Sequence, residues 1–160
     1  MKNKKTCCII SNDFCNFSFL MAQKKEREKF EKKAVEKITA LREEGVNNFF
    51  CALEEGLDLF IASYIEKTKG KDEKLYCAVA FEEQASSYGE KERELYFSLC
   101  ERCDTLFFVS KKRIFGCKTK RDKYMIEQSD SVLCFWDKFA PYTGELLQYA
   151  ANLDKKIVYI

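Results

Sequence analysis

The chain has 160 residues, 46% of them hydrophobic and 34% charged, with one Pro and six Gly. That is enough for one domain with a proper core, and an aromatic content of 14% argues against a disordered chain. Lys and Arg number 28 against 26 Asp and Glu, a net charge of +2 that gives no reason to expect a nucleic-acid or membrane partner, and the absence of His excludes His-based triads, His general bases and mixed His zinc sites.

Short apolar runs alternate with longer amphipathic stretches. Thr6–Ile10 predicts a first strand. Ser11–Gln23 carries Phe14, Phe17, Phe19, Leu20 and Met21, too apolar for a solvated loop. It reads as an extra short helix packed on the sheet, or as a pocket wall, lid or dimer contact. From about Lys24 to Glu44 a helix is predicted, with Phe30, Ala34, Ile38 and Leu41 on one face and Gly45 as its C-terminal stop. Then follow a strand (Asn48–Cys51), a helix (Leu57–Lys67), a polar turn around Gly70 and a strand (Leu75–Ala80). Next come a helix (Glu90–Cys103), a strand (Thr105–Val109) and a basic loop (Lys111–Thr119). The last stretch predicts a helix (about Lys120–Gln128), a strand (Ser131–Trp136), a helix (Thr143–Asn152) and a final strand (Lys156–Ile160). Continuous apolar strands separated by single helices imply a mainly parallel sheet of about six strands covered on both faces: a Rossmann-like three-layer α/β/α sandwich. No linker, repeat or low-complexity segment interrupts residues 1–160, so one domain is expected.

Nine Cys is a high and odd number. Cys7, Cys8, Cys51, Cys77 and Cys134 sit in strand contexts, where a thiol acts as a small hydrophobe. The apolar run after the basic start is too short for a signal-peptide core, and no run approaches the ~20 residues of a membrane span. Reduced thiols in a cytoplasm are the expectation. Cys100 and Cys103 form a CxxC, but it closes a helical pattern shared with Leu95 and Leu99 and has no second pair to complete a zinc site.

In an open parallel sheet ligands sit beyond the carboxyl ends of the strands. That rule selects Ser11-Asn12-Asp13, Ala52–Gly56, Phe81–Gln84, Ser110–Arg113 and Trp136–Glu145. Helix N-termini there favour anionic ligands. Glycine-rich phosphate loops of the GxGxxG or GxxxxGK[ST] type are missing. Glu54, Glu55, Glu82 and Glu83 would repel phosphate at this edge, whereas Lys111, Lys112, Arg113, Lys118, Lys120, Arg121 and Lys123 would offset them.

Four stretches carry a family resemblance. They are Glu43–Asp58, Phe81–Gln84 with Tyr88 and Glu90–Tyr96, Lys120-Arg121-Asp122-Lys123-Tyr124-Met125, and Ser129-Asp130 through Trp136-Asp137 to Tyr142-Thr143 and Gln148-Tyr149-Ala150. In these the chain resembles the SLOG superfamily, in its YpsA-like branch. This Rossmann-like group is related to the LOG phosphoribohydrolases and the DNA-processing A proteins. Gly56, Asp58, Gln84 and Thr143 match the family pattern. Ala52 stands for a glycine, Ala80 for a proline and Asp122 for an asparagine, Pro141 and Tyr142 replace loop glycines, and Ser11-Asn12-Asp13 replaces a G-x-R turn.

The resemblance implies non-catalytic binding of a nucleotide or nucleotide-derived small molecule at the carboxyl edge of the sheet. The ligand residues it implies are Asp58, Gln84, Arg121, Tyr124, Trp136, Tyr142, Thr143, Gly144 and Glu145. Arg121 would meet a phosphate, and Thr143 and Gly144 would donate at a helix N-terminus. The lost glycines point to a ligand with less phosphate and more stacking surface, or to a lost ligand; Trp136, Tyr142, Phe81 and Tyr88 would supply the aromatic walls. No catalytic residue, metal or cofactor is expected. Two alternatives are a degenerate, protein-binding member and an N-glycosidase built on Glu145 and Arg121. The Phe14–Met21 segment leaves room for a homo-oligomer.

Overall fold

The computed structural model describes residues 3–11 and 13–160. Asn12, in the turn that replaces the family's first motif, lies outside them. Six strands form one sheet: β1 (Lys5–Ser11), β2 (Val46–Cys51), β3 (Lys74–Phe81), β4 (Thr105–Ser110), β5 (Ser131–Phe135) and β6 (Lys156–Tyr159). All pair in parallel, in the order β4-β3-β2-β1-β5-β6. The helices are α1 (Asp13–Met21), α2 (Lys24–Glu43), α3 (Leu57–Thr68), α4 (Glu90–Arg102), α5 (Cys117–Glu127) and α6 (Pro141–Asn152), with a short 3₁₀ turn at Gln84–Ser87. This is the Rossmann-like sandwich that the alternation of apolar runs predicts.

Each central strand is apolar at successive positions because both faces of the sheet are covered. The pleat then divides its residues between two cores. Cys7, Ile9, Phe49, Cys51, Cys77 and Val79 face α1 to α4, together with Ala34, Ile38, Ile61 and Leu99. Cys8, Ile10, Phe50, Ala78, Val132 and Cys134 face α5 and α6, with Met125, Ile126, Leu146 and Leu147. The chain lays down β1 to β4 outward along one half of the sheet. It then returns across three strands through α5 to place β5 on the other side of β1. That crossover brings the loop before α5, and the first turns of α5, over the carboxyl ends of β2 and β3.

Two helix starts differ from the sequence reading. Pro141 occupies the first turn of α6, two residues before the predicted start, because its fixed φ and missing N–H suit that position. Helix α5 begins at Cys117, inside the predicted basic loop, after Gly116 takes a left-handed conformation at φ +79°. At the end of α2, Gly45 adopts φ +93°, and its N–H bonds the carbonyl of Arg42, as its C-terminal role predicts.

The segment after β1 is indeed an extra helix. Cys15, Asn16 and Phe19 of α1 are buried, with Phe19 between Phe30 and Phe60, while Phe14, Phe17 and Met21 stay exposed. Gly56 makes this placement sterically allowed. It sits at φ +106°, and a Cβ there would come within 2.9 Å of the Asn16 carbonyl oxygen.

All nine cysteines are free thiols, seven buried and two half-buried. Burial raises the Cys7 thiol to about 11 and Cys134 to about 12, which suppresses the reactive thiolate. Thiol labelling of the native protein should therefore modify Cys100 and Cys103 first. The other seven should react only on denaturation, with the order read by mass spectrometry of the labelled peptides.

Candidate functional site

The carboxyl edge is organised by buried polar side chains rather than by glycine loops. Gln84, in the 3₁₀ turn after β3, is nearly fully buried and makes a full set of bonds. Its Oε1 accepts the Ala80 N–H (2.9 Å), and its Nε2 donates to the Ala52 carbonyl (3.0 Å), the Leu53 carbonyl (3.3 Å) and the Tyr88 hydroxyl (3.1 Å). The Tyr88 hydroxyl in turn donates to the Leu53 carbonyl (2.9 Å). Leu53 sits at φ +57°, uncommon for a residue with a side chain. The bonds from Gln84 and Tyr88 to its carbonyl are what hold the β2–α3 turn in that conformation.

Arg121, on α5, reaches into the same network. Its side chain is 3% exposed. Its Nη1 donates to Glu54 Oε1 (2.7 Å) and Gln84 Oε1 (3.1 Å), and its Nε donates to Asp122 Oδ1 (2.8 Å). Lys118 adds a second cation to Glu54 Oε1 at 3.3 Å. Burial alone would raise the Glu54 carboxyl, but Arg121 and Lys118 outweigh it and hold the group below its ordinary value. The Arg121 guanidinium, expected to face a ligand phosphate, is thus bound to two of the chain's own carboxylates. It ties α5 to the ends of β2 and β3.

The expected ligand residues are distributed as follows. Asp58, in the first turn of α3, is 1% exposed. Its Oδ2 accepts the Glu54 N–H (3.0 Å), and its Oδ1 has no partner among the described residues. Tyr124 packs edge-on against Phe50 and tilted against Phe107, in the sheet's second core. The Trp136 Nε1 donates to the Ala140 carbonyl (3.1 Å), and its ring lies against Gly144, where a Cβ would approach to 3.1 Å. The Tyr142 hydroxyl donates to Asp122 Oδ2 (2.6 Å). Thr143 is buried with an unpartnered hydroxyl, and Glu145 is exposed. Arg121, Asp122 and Tyr142 are therefore joined, and Trp136 with Gly144 closes the start of α6. Arg121 and Glu145, the pair required for glycosidase chemistry, are placed in opposite settings, one buried among carboxylates and the other in solvent.

The open space lies further along the edge. A cleft of about 320 Å³ is bounded by Asp13, Asn16, Phe17 and Leu20 of α1, by Glu54 and Glu55, by Phe81, Gln84, Ser87 and Tyr88, and by Arg113 and Lys118. Two adjoining depressions share Phe81 and Arg113 with it and run along Lys111 to Thr119. Lys111, Lys112 and Arg113 take part in none of the ion pairs found among the described residues. Next to them Ile114 is exposed, and the Phe115 ring stands fully in solvent. The sequence reading named Phe81, Glu54, Glu55 and the cation run, but missed Asn16 and Ser87 and did not place Phe17 beside them. The signal for Phe17 was the apolar content of the α1 segment itself, with Phe14, Phe17, Phe19, Leu20 and Met21. Among the described residues no group of three His, Cys, Asp or Glu is placed to hold a metal.

The fold and its cleft define an open parallel α/β protein of the Rossmann-like class. Within that class the chain belongs to the YspA SLOG family: that family's model, YpsA, matches residues 14–157. It is also similar to UPF0398 protein BH1768 of Halalkalibacterium halodurans, 32% identical over 115 residues that cover 69% of this chain. Those residues span 61% of the relative's length. Its fold is shared by a solved structure of DNA processing protein A from Helicobacter pylori, described for its single-stranded DNA binding mode. The match has a TM-score of 0.64 and 13% identity, and covers 97% of this chain and 64% of that one.

This last similarity corrects the expectation of no nucleic-acid partner. An even net charge averages over the surface, and here Lys111, Lys112 and Arg113 line one depression, with Glu82 and Glu83 in the same lining, and enter none of the ion pairs among the described residues. No helix among the described residues is long and apolar enough to cross a membrane.

Two predictions follow from the buried network. Replacing Arg121 by Met leaves Asp122 buried without its cation and Glu54 with Lys118 alone, so urea denaturation should show a loss of about 3–5 kcal/mol. The second concerns Asp58. Burial, opposed by the Glu54 N–H and by Arg121, raises its carboxyl to about 7. Between the ordinary carboxylate range and that value the folded chain keeps a proton that the unfolded chain releases. The stability that Asp58 contributes is therefore full at low pH and lost as pH rises through about 7. Across pH 4 to 7 the parent should lose stability relative to Asp58→Asn, as measured by denaturation at successive pH values; a constant difference would contradict this assignment.

Proposed function

We propose that the protein binds a nucleotide or nucleotide-derived small molecule, without transforming it, in the cleft between α1 and the β4–α5 loop. The observation that carries this reading is the convergence of unpaired cations and aromatic surface on one cavity. Arg113 lines the cleft and both of its extensions, while Phe17 and Phe81 present rings to the same space. A phosphate needs the first feature and a base the second. Arg121 is then a positioning residue: it fixes Glu54 and the β2–α3 turn and leaves the ligand contacts to Arg113. In this reading the α6 N-terminus, where Trp136 packs on Gly144 and Tyr142 bonds Asp122, is not where the phosphate sits.

A second reading is a single strand of nucleic acid. The fully exposed Phe115 beside Lys111, Lys112 and Arg113 favours it, since exposed rings and unpaired cations together suit stacked bases and a phosphate backbone. The Helicobacter pylori protein of the same fold is consistent with it.

The test is a thermal-shift screen against NAD, ADP-ribose, nucleoside monophosphates, cyclic nucleotides and a short oligodeoxythymidylate. Ligand at ~100 times its Kd should add about 2.7 kcal/mol, a rise of several degrees. Arg113→Glu should abolish that rise while leaving the ligand-free midpoint within about a degree, because Arg113 makes no ion pair to lose. A shift with the oligonucleotide alone, lost between 50 and 200 mM salt, selects the second reading. No shift with any probe overturns both.

A further inference from the structure

The cysteines have no part in the cleft. Seven of the nine are buried, and the two half-buried ones, Cys100 and Cys103, lie at the end of α4, at the amino edge of the sheet. The backbone places Cys103 from both sides. Its N–H bonds the Leu99 carbonyl and closes α4, and the next N–H, that of Asp104, bonds the Leu75 carbonyl on β3. Thr105 then pairs with Tyr76. The chain thus leaves α4 alongside Leu75 and Tyr76, next to Cys77. Cys77 is fully buried in the core that faces α4, and Cys100 and Cys103 pack on that same cluster.

The Cys77 thiol is hydrogen-bonded to the Cys103 sulfur. Cys103 Sγ is also held at 3.5 Å from the Cys100 and Thr105 carbonyl oxygens. The bond from Cys77 keeps Cys103 below the ordinary thiol value, against burial and the Glu66 and Asp104 carboxylates. The same bond, together with burial, raises Cys77 well above it. The accessible sulfur is therefore the better nucleophile, and the buried one keeps its proton. Cys100 is engaged elsewhere: burial raises its thiol to about 11, and its sulfur is hydrogen-bonded with Tyr96. A sulfenic acid formed on Cys103 would have a second thiol already beside it.

We propose that Cys103 is a site of reversible oxidation by hydrogen peroxide, with Cys77 as its resolving thiol. The Cys103 sulfur attacks one peroxide oxygen and the O–O bond breaks. Sulfur gives up two electrons and becomes a sulfenic acid, and the other oxygen leaves with the thiol proton as water. The Cys77 sulfur then attacks the Cys103 sulfur. The S–O bond breaks, an S–S bond forms, and the hydroxyl leaves with the Cys77 proton as a second water. One peroxide and two thiols give one disulfide and two waters, and a dithiol reverses the change. A small uncharged oxidant suits a half-buried sulfur better than a bulky disulfide does. The link joins the end of α4 to β3, and it is independent of what the cleft binds.

The experiment treats the native protein with a small excess of hydrogen peroxide, denatures it, labels the remaining thiols and maps the peptides by mass spectrometry, with and without dithiothreitol. In the parent, Cys77 and Cys103 should vanish from labelling together, joined as one peptide pair, while Cys100 stays labelled. Dithiothreitol should restore both. Cys100→Ser should behave as the parent does, and Cys103→Ser should lose no thiol. Cys77→Ala should stop at a Cys103 sulfenic acid, which dimedone traps. Its melting midpoint checks the core, and if it does not fold, the parent and the two serine variants decide the matter. A Cys100–Cys103 link overturns the inference. So does a Cys103 sulfinic or sulfonic acid with Cys77 still a thiol, or oxidation of Cys103 no faster than that of the buried thiols.

Discussion

The carboxyl edge depends on one buried ion pair. Arg121 and Glu54 come from elements 67 residues apart, and their 2.7 Å contact is where the return crossover is fastened to the first half of the sheet. Everything else at this edge is arranged around that contact. Gln84 shares the guanidinium and holds the Leu53 and Ala52 carbonyls, so the β2–α3 turn keeps its left-handed residue. Asp122 takes the other side of the guanidinium and receives Tyr142, which fixes the beginning of α6. A buried charge is costly unless every partner is present, so the network tolerates little variation among its members.

The same contact decides which charges at this edge stay open to solvent. An arginine this deeply buried and bound to two carboxylates is a structural element, and its charge is used up inside the protein. Free positive charge is displaced outward to Lys111, Lys112 and Arg113 on the β4–α5 loop. The open space accordingly lies at the ends of β2, β3 and β4 rather than at the β1–β5 switch point. Tyr142 and Trp136 occupy the vacated region, one bonded to Asp122 and the other packed on Gly144.

The strands and most helices could be read from the sequence because burial on both faces leaves a plain mark, an unbroken apolar run. The start of α6 was misjudged by two residues, since a proline looks like an interruption although it is well suited to a first turn. At the site, Asp58, Gln84 and Arg121 could be picked out by residue type, but their direction could not. An arginine's chemistry is the same facing inward or outward. One signal was available: Arg121 and Asp122 precede the buried Met125 and Ile126 by four residues each, and so lie on the apolar side of α5. The cleft itself was hidden because it joins α1, two turns and a loop that are distant in sequence. No spacing rule connects Phe17 to Arg113.

The path of the chain has a consequence for its synthesis. When the ribosome has delivered β1 to β4, helices α1 to α4 can already cover one face of the sheet. The other face, with Cys8, Phe50, Tyr76 and Phe107, has no cover until α5 and α6 emerge. In the same interval Glu54 has no arginine beside it. The nascent protein thus passes through a stage with one finished layer, one bare apolar face and an uncompensated carboxylate. The arrival of α5 supplies the arginine and the first cover of that face, which α6 completes. A chain interrupted just before Cys117 would hold most of the strands and still lack the means to stay in solution.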